Sequence, residues 1–537
     1  MSQSRSPKAV SLEIFRHLFT ALCEEMGATL KRASFSPNIK ERRDYSCALF
    51  DSSGAAVSLG DHMPVHLGAM PMSVEAALAE IGKLAPGDVV CLNDPFSGGT
   101  HLPDITLISA VHEERGKLLG YVASRAHHSD VGGSTPGSMP LAREIFEEGI
   151  RIPPVRLYEA GQLNTSLWKT LLANVRTPVE RAGDLDAQVA ALHTGSERLC
   201  EIAQRRGIEE TLTAMEQLIE YADRLVEVAL NIVPDGCYQA EDWIEDDGFG
   251  SGPIPIRVSL NIEGSRLTVD FEGTSPQVPG GVNAVAAITS SATRYVVRCI
   301  VEALLGEPLS AGGGSMSAAE LILPESSVVN ADLPASVAAG NVETSQRITD
   351  VLLQAFGFAL PDHIPAMSQG TMNNTSVGGI DPRNGEVFAY YETVGGGMGA
   401  GPTGPGLSGV HCHMSNSLNT PVEALEHAYP YRVTHYGIRR NSGGSGMYQG
   451  GDGLRRDLML LVPARVTLLC ERRTSGPSGT QGGKAGAPGE NVLICDGVER
   501  HLPGKTSFTI QAGDIISIRS PGGGGWGAIP EESRHES

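Results

Sequence analysis

The chain has 537 residues, 41% hydrophobic and 19% charged, which is typical of a folded protein with about three or four structural units. Its 62 acidic residues outnumber its 41 lysines and arginines, and the formal charge of −21 argues against a nucleic-acid binder held by phosphate attraction. The sequence contains no run of 18 apolar residues and no apolar leader near its start, so we expect a cytoplasmic protein without a membrane span.

The hydrophobic periodicity of the first quarter of the chain predicts helices and hairpins. The turn sequence Asp51-Ser52-Ser53-Gly54 joins two alternating segments and predicts the first hairpin. In chain order the predicted elements are a helix over 10–31, strands over 45–50 and 55–59, a helix over 72–83 and strands over 88–92, 104–112 and 118–127.

Farther along, helical spacing gives way to alternation and then to short strands between glycine clusters. Glycine is frequent, with 65 residues and runs such as Gly522–Gly525, so we expect much ordered loop. The predicted elements are a helical region over 180–232, a hairpin of 256–262 and 267–271, a helix over 285–305 and strands over 455–461, 465–470, 491–495 and 513–519.

These elements predict an α+β fold, a large multi-layer mixed structure with glycine-rich loops and a β-rich C-terminal region. The nine cysteines never occur as a C-x-x-C pair, which predicts reduced structural thiols instead of a zinc ribbon. The predicted regions are an N-terminal α+β region with a metal site (1–178), a helical region (179–234), a mixed central region (235–429) and a β-rich region (430–537).

The densest group of potential metal ligands lies where one predicted strand begins and the next one ends. If these two strands pair around a two-residue turn at Arg115-Gly116, opposed residues have numbers that sum to 231. Asp104 then faces His127 across the hairpin, with Cβ atoms about 5 Å apart. His101, upstream in a glycine-rich loop, is close enough in sequence to supply a third ligand.

Histidine and carboxylate ligands without thiolate suit zinc, manganese or iron. Three protein ligands would leave positions open for water, as in catalytic sites, and a bound cation would lower the pKa of that water. The alternative is that His101, Asp104 and His127 are ordinary hydrogen-bonding groups at strand ends. At most one of His128 and Asp130 can share the face of His127, and we expect these two residues to orient the ligands.

Three other polar segments are candidates, each with a structural alternative. His62 and His66 lie in one loop and predict either a substrate-facing rim or loop hydrogen bonding. The segment 341–347 (NVETSQR) begins a predicted helix, where capping is favoured over a functional role. His411 and His413, in a glycine-rich context, predict pocket lining or a surface loop.

Sequence motifs for nucleotide binding and for a serine nucleophile are absent. Gly522–Gly525 lacks the Gly-Lys-Ser/Thr ending of a phosphate-binding loop, and Gly482-Gly483-Lys484 is followed by Ala485 instead of Ser or Thr. No G-x-S-x-G turn joins a strand to a helix with a histidine and an acid in order. We therefore expect no nucleotide-binding fold in this chain.

Several motifs together resemble the hydantoinase B/oxoprolinase family over nearly the whole chain. The combination is specific, although no single motif would be. They are Glu41–Cys47 (ERRDYSC), His62–Met70 (HMPVHLGAM), Asn93–Pro95 (NDP), Gly98–Asp104 (GGTHLPD), Ala126–Gly133 (AHHSDVGG), Gly340–Arg347 (GNVETSQR), His413-Met414, Asn419–Pro421 (NTP), Gly482–Gly486 (GGKAG) and Gly522–Trp526 (GGGGW).

The resemblance implies a two-protein enzyme. The partner, similar to hydantoinase A, is expected to carry a sugar-kinase-like ATPase that binds ATP and magnesium and phosphorylates the carbonyl oxygen of the substrate. The intermediate then passes to this subunit, where a divalent metal supplies hydroxide or orients the acceptor. This division of labour agrees with the missing phosphate-binding loop.

The resemblance also implies roles for individual residues. The implied metal ligands are His101, Asp104 and His127, the residues that orient them or transfer protons are His128, Asp130 and Asp94, and the residues on the substrate side are His62 and His66.

The family divides by chemistry into cyclic-amide opening and ketone carboxylation. The compact length favours a hydrolase whose small cyclic-amide substrate is a hydantoin, N-methylhydantoin, 5-oxoproline or a lactam. The alternatives are a subunit of an ATP-dependent ketone carboxylase of the acetone or acetophenone type, and a non-catalytic scaffold of such a complex. In each case we expect a hetero-oligomer.

Overall fold

The computed structural model describes residues 9–60, 62–306 and 316–529, and it confirms the predicted α+β class. The helices are α1 (Ala9–Ala33), α2 (Pro37–Lys40), α3 (Ala69–Ile81), α4 (Thr165–Ala173), α5 (Pro178–Arg206), α6 (Ile208–Leu230), α7 (Ala286–Leu305), α8 (Ser345–Ala359) and α9 (Val422–Ala428). The strands are β1 (Tyr45–Phe50), β2 (Ala56–Leu59), β3 (Val89–Leu92), β4 (Asp104–His112), β5 (Leu118–His127), β6 (Val155–Glu159), β7 (Gln162–Leu163), β8 (Gly236–Ile244), β9 (Ile254–Glu263), β10 (Arg266–Asp270), β11 (Ala319–Ile322), β12 (Asn374–Ile380), β13 (Val387–Glu392), β14 (Tyr431–Arg439), β15 (Gly453–Leu460), β16 (Ala464–Leu469), β17 (Glu490–Cys495), β18 (Val498–Leu502), β19 (Lys505–Ile510) and β20 (Ile515–Arg519).

Strongly patterned segments have the predicted structure. The strands predicted over 104–112 and 118–127 are β4 and β5 with the same bounds. The helical region predicted over 180–232 is two helices, because Gly207, at φ +100°, ends α5 and precedes α6. A positive φ of this kind suits glycine, which has no Cβ.

The sheet that carries the predicted metal ligands has seven strands in the order β2-β1-β5-β4-β3-β6-β7. α5 packs on one face of β4 and β5, where Gln188 donates to the backbone carbonyls of Ile105 and Ser124. α3 covers the other face, and its Met70, Val74 and Ala77 share a hydrophobic cluster with β4 and β5. The side chains of β4 and β5 are therefore buried on both faces.

The other sheets have four, four and five strands, in the orders β11-β10-β9-β8, β13-β12-β16-β19 and β14-β15-β20-β17-β18. α8 packs on β8 and β9, and a π-helical turn at Gly340–Thr344 precedes it. The largest hydrophobic core contains side chains from all four predicted regions, from Phe15 to Leu469. The division into regions stays a prediction.

The glycine runs form buried backbone segments. Gly522–Gly525 are buried, and the N–H groups of Gly523 and Gly524 donate to the carbonyls of Gly451 and Met367, both at 2.8 Å. A Cβ at Gly523 would lie only 2.1 Å from the carbonyl oxygen of Met398. Glycine is required here because several backbone segments pack against one another without room for side chains.

None of the described helices combines the length and the apolar character needed to cross a membrane. All nine cysteines are free thiols, as the sequence predicts.

Candidate metal centre

The hairpin of β4 and β5 places Asp104 directly opposite His127. The numbers of opposed residues sum to 231 from this pair as far as Val111 and Gly120, so the predicted register is confirmed. Because side chains alternate along a strand, Asp104 and His127 point to the same face, the one covered by α3.

The turn of this hairpin differs from the prediction. The N–H of Glu113 donates to the carbonyl of Lys117 (2.9 Å), which leaves a three-residue loop, 114–116, with Gly116 at φ +86°. A bulge after Val111 shifts the register by one residue, so that from Val111 to Asp104 the numbers of opposed residues again sum to 231. The predicted two-residue turn is therefore wrong, and the bulge returns the two ligand positions to opposition.

His101 reaches the pair from the loop that precedes β4. Its Nε2 lies 3.2 Å from Oδ1 of Asp104 and 3.2 Å from Nδ1 of His127. Nδ1 of His127 in turn lies 3.3 Å from Oδ1 of Asp104. The three buried side chains thus direct three ligand atoms into a nearly equilateral triangle.

A triangle of this size fits a small divalent cation. The point in its plane that is equidistant from the three atoms lies about 1.9 Å from each, and ligand bonds of about 2.0–2.2 Å put an ion slightly above that plane. Two imidazole nitrogens and one carboxylate oxygen, without thiolate, suit zinc, manganese or iron.

The second oxygen of Asp104 is held by other residues. Oδ2 accepts a hydrogen bond from the hydroxyl of Thr100 (2.6 Å) and lies 3.3 Å from Nε2 of His66. Nδ1 of His66 lies 2.8 Å from the hydroxyl of Ser46. The carboxylate is therefore fixed in orientation, with Oδ1 directed at the two other imidazoles.

His101 is oriented through its second ring nitrogen. Nδ1 lies 3.3 Å from the carbonyl of Ala338, and donation to that carbonyl leaves the lone pair on Nε2, where a metal would need it. The buried Glu148 accepts the N–H groups of Val337 (2.7 Å) and Ala338 (3.0 Å), which holds this carbonyl in place.

Burial and charge act in opposite directions on these groups. Burial opposes ionisation of Asp104, but the neighbouring imidazoles outweigh it and hold the pKa of Asp104 well below its usual range. Burial lowers the pKa values of His66 and His127. Burial also disfavours protonation of His101, but the carboxylate of Asp104 outweighs it and raises the pKa of His101. Burial therefore favours the neutral form of His66 and His127, which for His127 is the form that binds a metal.

A small cavity adjoins the cluster. This metal cavity is lined by residues that include Asp104, His127, Asn341 and Tyr391, and its volume of about 10 Å³ is close to what one water molecule needs. Nε2 of His127 and Oδ1 of Asn341 are buried without a hydrogen-bond partner among the described residues. Polar atoms of this kind suit a site that water or a substrate group enters.

His66 and His62 lie on two different cavities that share Met63. His66 lines the metal cavity, whereas His62 lines an outer cavity of about 270 Å³ together with Tyr295. The His62 ring packs on Tyr45, with ring centres 4.9 Å apart. The structure therefore brings His66 to the cluster and leaves His62 one cavity away.

The side chain of His128 points away from the cluster. Its Nε2 lies 2.9 Å from Oε1 of Gln188 in α5, on the opposite face of the sheet, and burial lowers its pKa to about 4. This follows from strand alternation, since His128 directly succeeds His127.

Asp130 and Asp94 make structural hydrogen bonds. Asp130 accepts from the backbone N–H of Thr177 and from the guanidinium of Arg176, both at 3.1 Å. Asp94 accepts from the N–H of Phe96 (3.1 Å) at the start of a three-residue helix. The catalytic roles implied for His128, Asp130 and Asp94 stay predictions. The contacts described for these three residues are not with the metal-ligand cluster and do not support those roles.

Sequence reasoning missed several residues around the site. Capping is the role that the sequence favours for segment 341–347, but Nδ2 of Asn341 lies 3.0 Å from Nε2 of His101 and no side chain caps the π-helical turn. Tyr391 stacks on His127, with ring centres 4.4 Å apart, and Arg125 places a fully buried guanidinium on Thr106 (2.8 Å). Asn341 lies in one of the motifs that resemble the hydantoinase B/oxoprolinase family, and that motif could have indicated a functional role. Tyr391 and Glu148 lie in no such motif, so the sequence around them does not indicate a role at the site.

The sequence model for hydantoinase B/oxoprolinase matches residues 8–529. The chain belongs to the hydantoinase B/oxoprolinase family. The motif that contains His101 and Asp104 and the motif that contains His127 are among those that suggested the resemblance.

Curated relatives within this family differ in length. 5-Oxoprolinase 1 of Arabidopsis thaliana is 39% identical over 548 residues, which cover 97% of this chain and 42% of that protein. Caprolactamase subunit beta of Pseudomonas jessenii is 31% identical over 537 residues, which cover 96% of this chain and 90% of the subunit. An uncharacterised protein of Methanocaldococcus jannaschii is 37% identical, covering 97% of this chain and 90% of its own. The chain thus spans about two fifths of the 5-oxoprolinase and nearly all of the caprolactamase subunit.

Solved structures share the fold. The crystal structure of ATP-dependent caprolactamase from Pseudomonas jessenii matches with a TM-score of 0.89 and 28% identity, over 98% of this chain and 93% of that one. Nucleotide-free acetone carboxylase matches with a TM-score of 0.86 and 19% identity, over 96% of this chain and 76% of that one. At 19% identity, the match to acetone carboxylase shows only that the two chains share a fold.

Proposed function

We propose that this family member is the metal-containing subunit of an ATP-dependent cyclic-amide hydrolase. The observation that carries the proposal is the buried triangle of His101, Asp104 and His127 beside a cavity the size of one water. Relatives named 5-oxoprolinase and caprolactamase subunit beta support a cyclic amide as the substrate. Within that class, hydantoin, N-methylhydantoin, 5-oxoproline and lactams are the substrates to test.

In this proposal the three side chains of the triangle hold a divalent cation, either zinc or manganese, with iron as a third candidate. A cation bound there supplies Lewis acidity and lowers the pKa of a water ligand. Thr100 and His66 retain Oδ2 of Asp104, so that Oδ1 stays available. The carbonyl of Ala338 keeps the proton of His101 on Nδ1.

We assign to Asn341 the orientation of the water or substrate group in the metal cavity. Its side chain lines that cavity, and its Oδ1 has no partner within the described part of the chain. Nδ2 of Asn341 lies 3.0 Å from Nε2 of His101. Rotation of the Asn341 amide by 180° would exchange its two atoms and place Oδ1 beside Nε2 of His101. An amide oxygen in this place can accept a hydrogen bond from water, which Nδ2 cannot do.

The substrate would enter through the outer cavity. Its volume of about 270 Å³ is near the lower bound for small-molecule sites, about 300 Å³. Met63 lines both cavities and would have to move aside for the substrate to reach the cluster. His62 therefore keeps its proposed place on the substrate side, and His66 takes the further role of holding Asp104.

ATP and magnesium would bind to a hydantoinase A-like ATPase partner. This chain has no phosphate-binding loop in its sequence, and the similar caprolactamase protein is named as one subunit of an ATP-dependent enzyme. The partner would phosphorylate the carbonyl oxygen of the amide, which makes that oxygen a better leaving group and the carbon easier to attack. The hetero-oligomer and its cytoplasmic location belong to the same proposal.

Reconstitution with the ATPase partner tests this function. We expect ATP turnover that depends on a cyclic amide and releases one ring-opened product. Asp104→Asn should lose the metal and the turnover but keep the assembly, whereas the control Asp362→Asn, at an exposed aspartate outside the cluster, should keep all three. Full turnover by Asp104→Asn would overturn the site.

The same assay decides between the two branches of the family. A second arm supplies acetone and bicarbonate with ATP, because the fold of acetone carboxylase is shared. Carboxylation without ring opening would assign this chain to a ketone carboxylase. Assembly without any metal-dependent turnover in either arm would favour a scaffold.

A further inference from the structure

A cavity far from the metal centre lies beside the C-terminal half of α8. Asn341 precedes this helix and Asp350 follows nine residues later, so the helical rise separates them by about 13 Å. The cavity has a volume of about 210 Å³ and is lined by α8, by the segment 361–367 and by the glycine-rich segment 478–481. We call it the helix cavity.

Among the described residues that line the helix cavity, Asp350 is the single ionisable one, and its side chain is 1% exposed. Its Oδ2 accepts from the guanidinium of Arg472 (2.8 Å) and lies 3.3 Å from that of Arg347. Its Oδ1 is buried without a partner in the described structure, as is Oε1 of Gln354 one helical turn later. Two acceptors on one face of the helix therefore lack donors, which is costly for buried polar atoms.

The ionic network behind Asp350 has more acids than bases. Arg347 and Arg472 both contact Asp242 at 2.8 Å, and Glu471 lies between Arg347 and Lys505. The buried Glu343 interacts with the same charges. The members are three bases, Arg347, Arg472 and Lys505, and five acids, Asp242, Asp246, Glu343, Asp350 and Glu471.

The excess of acid is reflected in the pKa values of two members. Burial raises the pKa of Asp350 to about 8 and that of Glu343 to about 7. Each would therefore hold a proton near neutral pH unless another positive charge came close. A cation that entered the helix cavity would supply that charge.

The remaining walls combine apolar side chains with the polar side chains of Ser478, Thr480 and Gln481. Leu353, Ile364 and Met367 line the interior, and Phe358, which is 63% exposed, lies at the mouth. The described residues that line this cavity include no lysine or arginine.

We propose that the helix cavity binds a primary ammonium group carried on a short apolar chain. The ammonium offers three N–H donors, enough for Oδ1 of Asp350 and Oε1 of Gln354 together. The apolar chain would lie against Leu353 and Met367. A neutral amide could donate to both acceptors but, without a positive charge, would not favour the ionised form of Asp350. This site is independent of the function proposed for the metal centre.

Titration of the full chain with n-pentylammonium chloride near neutral pH tests the proposal, with 1-pentanol and pentanamide as neutral probes of similar size. We expect saturable binding at one site by calorimetry, at least about tenfold tighter for the ammonium than for either neutral probe. Asp350→Asn should weaken ammonium binding by at least about tenfold. Asp362→Asn, which removes an exposed negative charge outside the lining, should leave it unchanged.

Gly357→Leu provides a variant that leaves the ionic network intact. A Cβ at Gly357 would lie 3.8 Å from Ile364, so the helix can accept a side chain, and leucine would fill the cavity. This variant should melt as one cooperative unit and lose ammonium binding. Unchanged binding by Gly357→Leu would overturn the proposal. So would equal affinity for a neutral probe, or no binding by the parent chain at millimolar concentration.

Discussion

His66 lies against the oxygen of Asp104 that the two other imidazoles leave free. Nε2 of His66 lies 3.3 Å from Oδ2, whereas His101 and His127 face Oδ1 at 3.2 and 3.3 Å. Oδ1 of Asp104 is therefore available to bind an ion, whereas the contacts of Oδ2 fix the orientation of the carboxylate.

His66→Ala should therefore weaken metal binding without removing a ligand. We expect a loss of about 10–100-fold in affinity, the usual effect of removing a group that orients a metal ligand. Competition with a chromophoric chelator measures it. The matched control is His62→Ala, which removes an imidazole from the outer cavity and should keep the parent affinity. An unchanged affinity in His66→Ala would contradict the role given to this residue.

His128→Ala should affect stability but not metal content. The substitution leaves Oε1 of Gln188 without its partner at 2.9 Å, which should cost about 1–3 kcal/mol of unfolding free energy. Urea denaturation and metal analysis of the same preparation measure the two effects. A large loss of turnover at full metal content and normal fold would instead restore the catalytic role that the resemblance implies.

Two glycine substitutions should differ strongly in cost. Gly116→Ala meets open space at φ +86° and should cost about 1–2 kcal/mol from backbone strain. Gly523→Ala would put a Cβ 2.1 Å from the carbonyl oxygen of Met398, and we expect a loss of more than about 4 kcal/mol or no folded protein. Soluble yield and denaturation curves compare them, and similar curves would show that the glycine layer tolerates side chains.

Acid should destabilise the protein partly through His413. Burial lowers the pKa of His413 from 6.5 to about 4. Within that window the unfolded chain binds a proton that the folded chain does not, so stability falls as the pH falls. The contribution between pH 6.5 and pH 5 is roughly 1.5 kcal/mol.

His413→Asn should remove that contribution. The backbone at this position has φ +57°, a conformation that asparagine tolerates. Urea denaturation at the two pH values should therefore show a smaller acid loss in the variant than in the parent chain. Equal losses would mean that His413 is not held neutral in the fold.

Local sequence patterns predicted the strands that carry two of the ligands. Strand-like runs in the sequence predicted β4 and β5 with the observed bounds, and the turn arithmetic placed Asp104 opposite His127. The arithmetic assumed a two-residue turn, whereas the three-residue turn and the bulge shift the register by one residue each in opposite senses. The burial of both faces demands one register, because a slip by one would reverse every side chain.

The sequence by itself determined the family, the elements with strong periodicity and the ligands that lie close together in the chain. Only the tertiary structure decided that Ala338 and Asn341 meet His101, that Tyr391 covers His127 and that the glycine runs are interior. The physical reason is the range of the interactions: steric preferences and side-chain alternation act over a few neighbouring residues and are visible in the sequence. Contacts between residues more than 200 positions apart arise when whole sheets and helices pack, and no local pattern encodes which side chains that packing brings together.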